Sequence, residues 1–493
     1  MNYGQFLHMI PEVTLVVILI LVFFADLLCS REREVKVRTL GVFTSLLMCA
    51  QLLACVLAVP AEAFGGMYVA TQSANVMKII LTLGALVVII MAQPWLKGDA
   101  GKRVGEFYEL IVSTLLGMYI MVSSGNFLMF FLGLEMASVP MACLVALDKL
   151  KRDSSEAAAK YILTATFSSA VMLYGISFVY GSVGTLYFGD VMQRIAYFAQ
   201  YKSQLPMLIM GLVFFFSGLG FKLSLVPFHF WTADTYQGAP TPVTGYLSVC
   251  SKGAAAFALM VILLKVFAPL TEYWDYMLYI VIVLSITIAN LFAIRQKELK
   301  RFMAFSSISQ AGYIMLAVVG ASQTGMAALM YYILVYVVAN MAVFTVISAV
   351  EHADVAHPNP TLNAQRTMFG VYDGLYQTNP KLSFLMTLAL FSLAGIPPFA
   401  GMFSKFFVFM AAAEQGSFWA YFVVFVALVN TVVSLYYYLL IVKAMYIKPS
   451  YTPMPTFRIE GSTRLALAVC TAGIVLFGVC SCIYDWLFAS SAM

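Results

Sequence analysis

The sequence predicts an all-α polytopic membrane protein of about fourteen transmembrane helices, with two inverted-topology repeats that contain broken helices. Three observations carry that prediction. Of 493 residues, 62% are hydrophobic and only 10% are charged, whereas soluble domains run at about 45–50% and about 25%. The mean hydropathy is +0.90, and the apolar runs last about 20 residues, the length of a membrane-crossing helix. They lack the period-2 alternation of barrel strands, and lipid admits only helical bundles or closed barrels.

Apolar runs between charged or turn-rich breaks place spans at 10–29, 40–59, 75–95, 106–122, 126–147, 157–181, 206–230, 241–266, 273–293, 301–320, 322–350, 382–411, 417–447 and 463–488. No basic residue precedes the first run, and REREVKVR follows it. A retained first helix with its N-terminus outside is therefore expected, not a cleaved signal. Basic residues gather in alternate loops: Arg31, Arg33, Lys36 and Arg38; Lys97, Lys102 and Arg103; Lys149, Lys151 and Arg152; Arg295, Lys297, Lys300 and Arg301; Arg366 and Lys381; Lys443, Lys448, Arg458 and Arg464. The loops between are nearly free of Lys and Arg. Loop 231–240 departs from the pattern, because Asp234 is its one charge. By the positive-inside rule both termini lie outside the cytoplasm.

Residues 159–175 (AKYILTATFSSAVMLYG) and 330–348 (MYYILVYVVANMAVFTVIS) look like copies of one unit. Each is followed by a run carrying proline and lysine: Lys222 before Pro227, and Lys405 after Pro397 and Pro398. Proline breaks a helix, and broken helices at matching places in two repeats point to an ion site near mid-membrane. The chain divides accordingly into a three-helix segment (1–105), a first repeat (106–266), a second repeat (273–447) and a C-terminal helix (448–493).

Five charges sit inside apolar segments: Glu135 in FFLGLEMASVP, Lys160 in EAAAKYIL, Lys222 in GLGFKLSLVPFHFW, Lys252 in LSVCSKGAAAFAL and Lys405 in GIPPFAGMFSKFFVF. A charge in lipid costs at least ~2.5–3.5 kcal/mol, so each is a candidate functional residue. Burial disfavours an ammonium, so a lysine in low dielectric can release and retake a proton near neutral pH. Glu135 must be paired or protonated, with Lys222 or Lys160 the natural partner. Lys252 lies among small residues that admit water and extends the row. The competing reading is structural: snorkelling lysines, strongest for Lys160, and a static ion pair. Lys78 and Lys265, near span ends, read as anchors. His229, beside Pro227, suits proton uptake from the cytoplasm as well as a hydrogen-bonded structural role; His8, His352 and His357 are expected to face solvent.

The eight cysteines are scattered, without the spacing of an iron–sulfur, haem or zinc site, and are expected to be buried and reduced. No P-loop, Rossmann, HExxH or GxSxG motif is present. No redox cofactor or nucleotide site is expected in this chain, and the short basic loops give no reason to expect nucleic acid.

The segments GLGFKLSLVPFHFWTADTYQGAPTPVTGYLSVCSKGAAAFAL, QKELKRFMAFSSISQAGYI and LAGIPPFAGMFSKFFVF resemble the antiporter-like membrane subunits of respiratory complex I and of multisubunit Mrp cation/proton antiporters. Lysine at both 252 and 405 is most similar to the N-type branch. M-type members typically carry glutamate at the latter position, histidine is frequent at the former in L and M types, and the L type ends in a long lateral helix. The resemblance implies a non-redox subunit of a proton-translocating NADH:quinone oxidoreductase in the bacterial inner membrane. Other membrane-arm subunits would be its partners, with FMN and iron–sulfur clusters carried by partner subunits and quinone as substrate of the complex. It implies Glu135 and Lys222 as a charge pair, Lys160 and Lys252 as a connecting relay and Lys405 as the exit-side lysine. Gln310 departs from the histidine of many relatives. Two alternatives stand beside this: an Mrp-type subunit, for which sodium coupling would call for more membrane carboxylates than Glu135, and a structural scaffold.

Overall fold

The computed structural model describes residues 3–29, 32–202, 204–448, 450, 452–480 and 482–491; Arg31 lies outside them. Among the described residues, thirteen helices are long and apolar enough to cross a membrane. A pair of shorter apolar helices, Pro380–Ala394 and Ala400–Ala413, lies end to end and makes a fourteenth span. A few helix starts are closed by side chains that accept from the first free amides. The Asn126 side chain accepts from the Leu128 amide, and Ser322 and Ser417 accept from Gly325 and Ala420.

The eighth (Thr241–Lys265), tenth (Leu299–Val319) and eleventh (Gln323–Glu351) spans are almost wholly enclosed. The first, second, sixth, thirteenth and fourteenth bury only about a third of their most apolar window. That gradient separates a protein-filled centre from a rim of apolar side chains turned outward, as a bilayer requires. The fourth (Ala100–Val122) and fifth (Phe127–Val145) spans approach closely, because a Cβ at Gly117 or Gly133 would meet the other helix's backbone at 2.4 and 2.5 Å.

Several elements differ from the sequence reading. The seventh span is a helix over Leu205–Leu223, a break, and a second helix over Phe230–Gly238, so most of the expected loop 231–240 is helical. The twelfth is likewise split, around residues 395–399. The eighth contains a π-helical turn, Leu247–Ser251. A two-stranded hairpin, Ala61–Ala63 with Tyr68–Ala70, and a surface helix, Phe188–Gln200, connect spans on the face poor in basic residues. Cys49, Cys143 and Cys482 are exposed, not buried; Cys143 lines an open cavity with Glu106, Glu109 and Lys149. His357 is also buried, at 4% exposure. Its Nδ1 accepts from the Asn359 amide, and burial together with the Arg366 charge holds its pKa below the ordinary histidine range.

Candidate functional site

Helix Leu205–Leu223 ends just past Lys222. Ser224 adopts a left-handed backbone (φ 61°), and the Ser224 and Leu225 amides donate back to Phe221 and Gly220. Pro227 cannot donate to continue the helix. The groups freed by the break find side chains: Trp231 Nε1 donates to the Phe221 carbonyl at 3.0 Å, and the Val226 amide to Ser285 Oγ at 2.9 Å. Lys222 is 4% exposed, and its Nζ donates to Ser138 Oγ at 2.7 Å and to Tyr161 OH at 3.4 Å.

Glu135 stands one helical turn before Ser138, close enough for its charge to act on Lys222 and Tyr161. One of its carboxylate oxygens, Oε1, is buried without a hydrogen-bond partner among the described residues. No ion pair within 4 Å joins Glu135 to Lys222 among the described residues. Glu135 and Lys222 are therefore neighbours and not a contact pair, with Ser138 taking a hydrogen bond from the ammonium.

Lys252 follows the π-helical turn and is 2% exposed. Its Nζ donates to Ser307 Oγ at 2.7 Å and lies 5.5 Å from the centre of the Tyr236 ring. His229 sits in the first break and is buried, beside Pro227 and near Lys252. The second break has its lysine on the far side, in the half-helix that follows it. Gly395 holds φ 88°, and a Cβ there would meet Lys405 Cδ at 3.0 Å, so glycine serves both the turn and the lysine's passage. Lys405 is buried; its Nζ donates to the Ala394 carbonyl at 2.9 Å and lies 4.9 Å over the Tyr313 ring. Gln310 beside it is fully engaged: it accepts from Tyr332 and donates to the Leu393 carbonyl and Tyr438 OH, each at 3.2 Å.

Lys160 is a correction. It stands two turns into a helix that starts at Arg152 on the basic face, is 45% exposed and pairs with Glu156 at 2.9 Å and Asp234 at 2.8 Å. Asp234 also binds Arg301 at 2.7 Å, which explains why a loop with only an acidic residue interrupts the basic series. Lys78 is the opposite correction. It is fully buried and paired with Glu12 at 2.7 Å, and Tyr68 OH donates to the same carboxylate at 2.9 Å. Glu12, the buried Lys300 and the half-buried Glu351 were missed. Lys300 Nζ donates to the Ala239 carbonyl at 2.7 Å, and Glu351 accepts from Thr241. Glu135 is therefore not the sole carboxylate in the membrane region. Lys300 and Glu351 line a cavity of about 660 Å³ with Lys151, Arg301 and Arg366, which gathers the basic loops on one face. A cavity of about 450 Å³, lined by Glu62, Asp190 and Lys265, lies at the ends of the spans joined by the hairpin.

Four buried lysines on hydroxyl or carbonyl partners (Lys222, Lys252, Lys300 and Lys405), two of them at helix breaks, mark an ion-translocating membrane subunit. The chain belongs to the NADH:quinone oxidoreductase/Mrp antiporter transmembrane family, which matches residues 124–432. It is 56% identical to NADH-quinone oxidoreductase subunit N of Phocaeicola vulgatus over 488 residues, 99% of each chain. It is 46% identical to subunit N of Azobacteroides pseudotrichonymphae over 99% of this chain and 98% of that one. A chain of respiratory complex I from Thermus thermophilus superposes with TM-score 0.77 at 30% identity, covering 95% of this chain and 97% of that one. A chain of the Mrp complex from Dietzia sp. shares the fold, with TM-score 0.82 at 19% identity, over 100% and 97% of the two chains.

Proposed function

We propose that this chain is the N-type membrane-arm subunit of a proton-translocating NADH:quinone oxidoreductase and moves protons through buried lysines. The observation that carries the reading is the trio Lys222, Lys252 and Lys405, each under 5% exposed and none in a contact ion pair among the described residues. A structural lysine at such depth would be expected to hold a carboxylate, as Lys78 does. The identity to subunit N relatives favours this reading over an Mrp-type subunit, for which only the fold speaks.

In this reading the unit 106–266 holds the first break and 273–447 the second. Each contains five spans, an odd number, so the two run in opposite senses across the membrane. The basic face is cytoplasmic and both termini lie on the other side. Protons arrive near His229 or the large basic-face cavity, load Lys222 and Lys252, and leave by way of Lys405. Two unit charges ~8 Å apart at an effective dielectric of ~20 interact by about 2 kcal/mol. A small shift of Glu135 relative to Lys222 thus suffices to bias the lysine between its charged and neutral forms. Lys160, held by Asp234 and Glu156, steadies the inlet and does not carry the proton. Quinone reduction, FMN and iron–sulfur clusters belong to partner subunits.

The test is proton pumping and NADH:quinone electron transfer in membranes carrying Lys222→Met, with assembly measured in parallel. The expected result is an assembled complex whose pumping falls by about 10² or more. Full pumping by an assembled variant would make Lys222 structural.

A further inference from the structure

A groove in the rim of the bundle takes no part in the lysine relay. It lies between the first span (Gly4–Leu28) and the fourth and fifth, and holds about 850 Å³. Sites for small amphiphilic ligands run at about 300–1,000 Å³. Its walls are apolar: Leu19, Phe23, Phe24 and Leu110 line it, and both phenylalanines are exposed. Leu19 stands nine residues before the end of its helix at Leu28. At 1.5 Å per residue the apolar wall therefore reaches roughly 13 Å below the basic face.

The mouth of the groove carries charge. Glu106 stands in the first turn of helix Val104–Val122, and Glu109 follows one turn later on the same side. Lys149 lines the groove from the basic loop after the fifth span. None of the three is in an ion pair among the described residues. Asp26 supplies the contrast. A Cβ at Gly105 would meet its carboxylate oxygen at 2.3 Å, so it packs against the same helix, but Lys36 answers it at 2.8 Å. Two like charges on one helix face, beside an apolar wall, repel each other and call for a cation. Lys149 alone leaves the carboxylates in excess.

We propose that this groove is a binding site for a phospholipid whose headgroup ends in a primary ammonium. The ammonium has three N–H donors and gives them to Glu106 and Glu109, while the phosphate accepts from Lys149. An acyl chain lies along Leu19, Phe23, Phe24 and Leu110. The charges choose the headgroup. A glycerol headgroup would keep its phosphate on Lys149 but offer the two carboxylates hydroxyls and no positive charge. A helix of a neighbouring subunit in the same groove would leave no preference among lipids.

Cys143 lines the groove and is exposed, so its thiol reports on occupancy. The whole oxidoreductase is stripped of lipid in detergent, titrated with phosphatidylethanolamine or phosphatidylglycerol, and alkylated with a maleimide. Peptide mass spectrometry reads modification at Cys143, with the exposed Cys49 of helix Arg33–Val56 as reference. Phosphatidylethanolamine is expected to protect Cys143 at about tenfold lower concentration, the ratio that one hydrogen bond between charged groups supplies. Glu106→Gln combined with Glu109→Gln is expected to abolish that preference. Equal protection by the two lipids, equal protection of Cys49, or a preference that survives the double substitution overturns the site. So does a Cys143 that stays unreactive in the stripped complex, which would mean that a neighbouring subunit covers it. The preference between lipids is read in the unaltered complex, so it decides the matter even if the double variant does not assemble.

Discussion

Each helix break has a buried lysine beside it, Lys222 at the end of the half-helix before the first and Lys405 in the half-helix after the second, and the two keep different company. At the first, Lys222 binds two hydroxyls, Ser138 and Tyr161, with the Glu135 carboxylate nearby but out of contact. At the second, Lys405 binds the freed Ala394 carbonyl and faces the Tyr313 ring, with no carboxylate in contact among the described residues. A lysine beside a carboxylate that it does not touch can be tuned by moving either group. A lysine held by a fixed carbonyl and an aromatic face has one resting place. The first break thus has the makings of a switch, and the second those of a terminal acceptor.

A third buried lysine sharpens the contrast. Lys78 touches Glu12 at 2.7 Å and Tyr68 at 3.1 Å, so its charge is fully answered. Lys78→Met would leave Glu12 buried and unpaired, a loss of about 3–5 kcal/mol. The expected outcome is a failure of assembly, read by the amount of subunit in purified membranes. A normally assembled Lys78→Met complex that has lost only pumping would place Lys78 among the working lysines and erase the distinction.

Glu135→Gln tests the asymmetry between the breaks. Removing about 2 kcal/mol of coupling is expected to lower pumping by roughly tenfold while assembly holds. Pumping in that variant at the unaltered rate would reduce Glu135 to packing. Ser138→Ala has the smallest expected effect. Tyr161 remains as an acceptor, and one hydrogen bond to a charged group is worth about 1.5–3 kcal/mol, partly recovered by the remaining bond. A severalfold loss is expected in titrations of pumping against pH. A loss as deep as that of Lys222→Met would mean that Ser138 conducts and does not merely hold the lysine.

Much of this was legible in the sequence because lipid leaves the chain few choices. Run length and alternating loop charge mark the spans, and Pro227, Pro397 and Pro398 mark both breaks, since a missing amide cannot be hidden in a helix. Pairing across the chain was not legible. Lys78 looked like an anchor because Glu12, its partner, belongs to another span. Lys160 looked buried because its helix begins at Arg152, earlier than the apolar run suggests, which lifts the lysine toward the basic face. The π-helical turn before Lys252 left no mark in LSVCS, because such a turn is set by what packs against the helix. Ser138 and Ser307, the hydroxyls that receive the two lysines, are ordinary serines until the fold brings them within 2.7 Å.

The most direct measurement is proton pumping by the whole complex carrying Lys405→Arg, beside its NADH oxidation and assembly. Arginine keeps the positive charge but does not deprotonate. If Lys405 exchanges a proton, the variant assembles and its pumping is lost. If it pumps at the unaltered rate, a fixed charge is all that position requires, and the lysine relay is wrong.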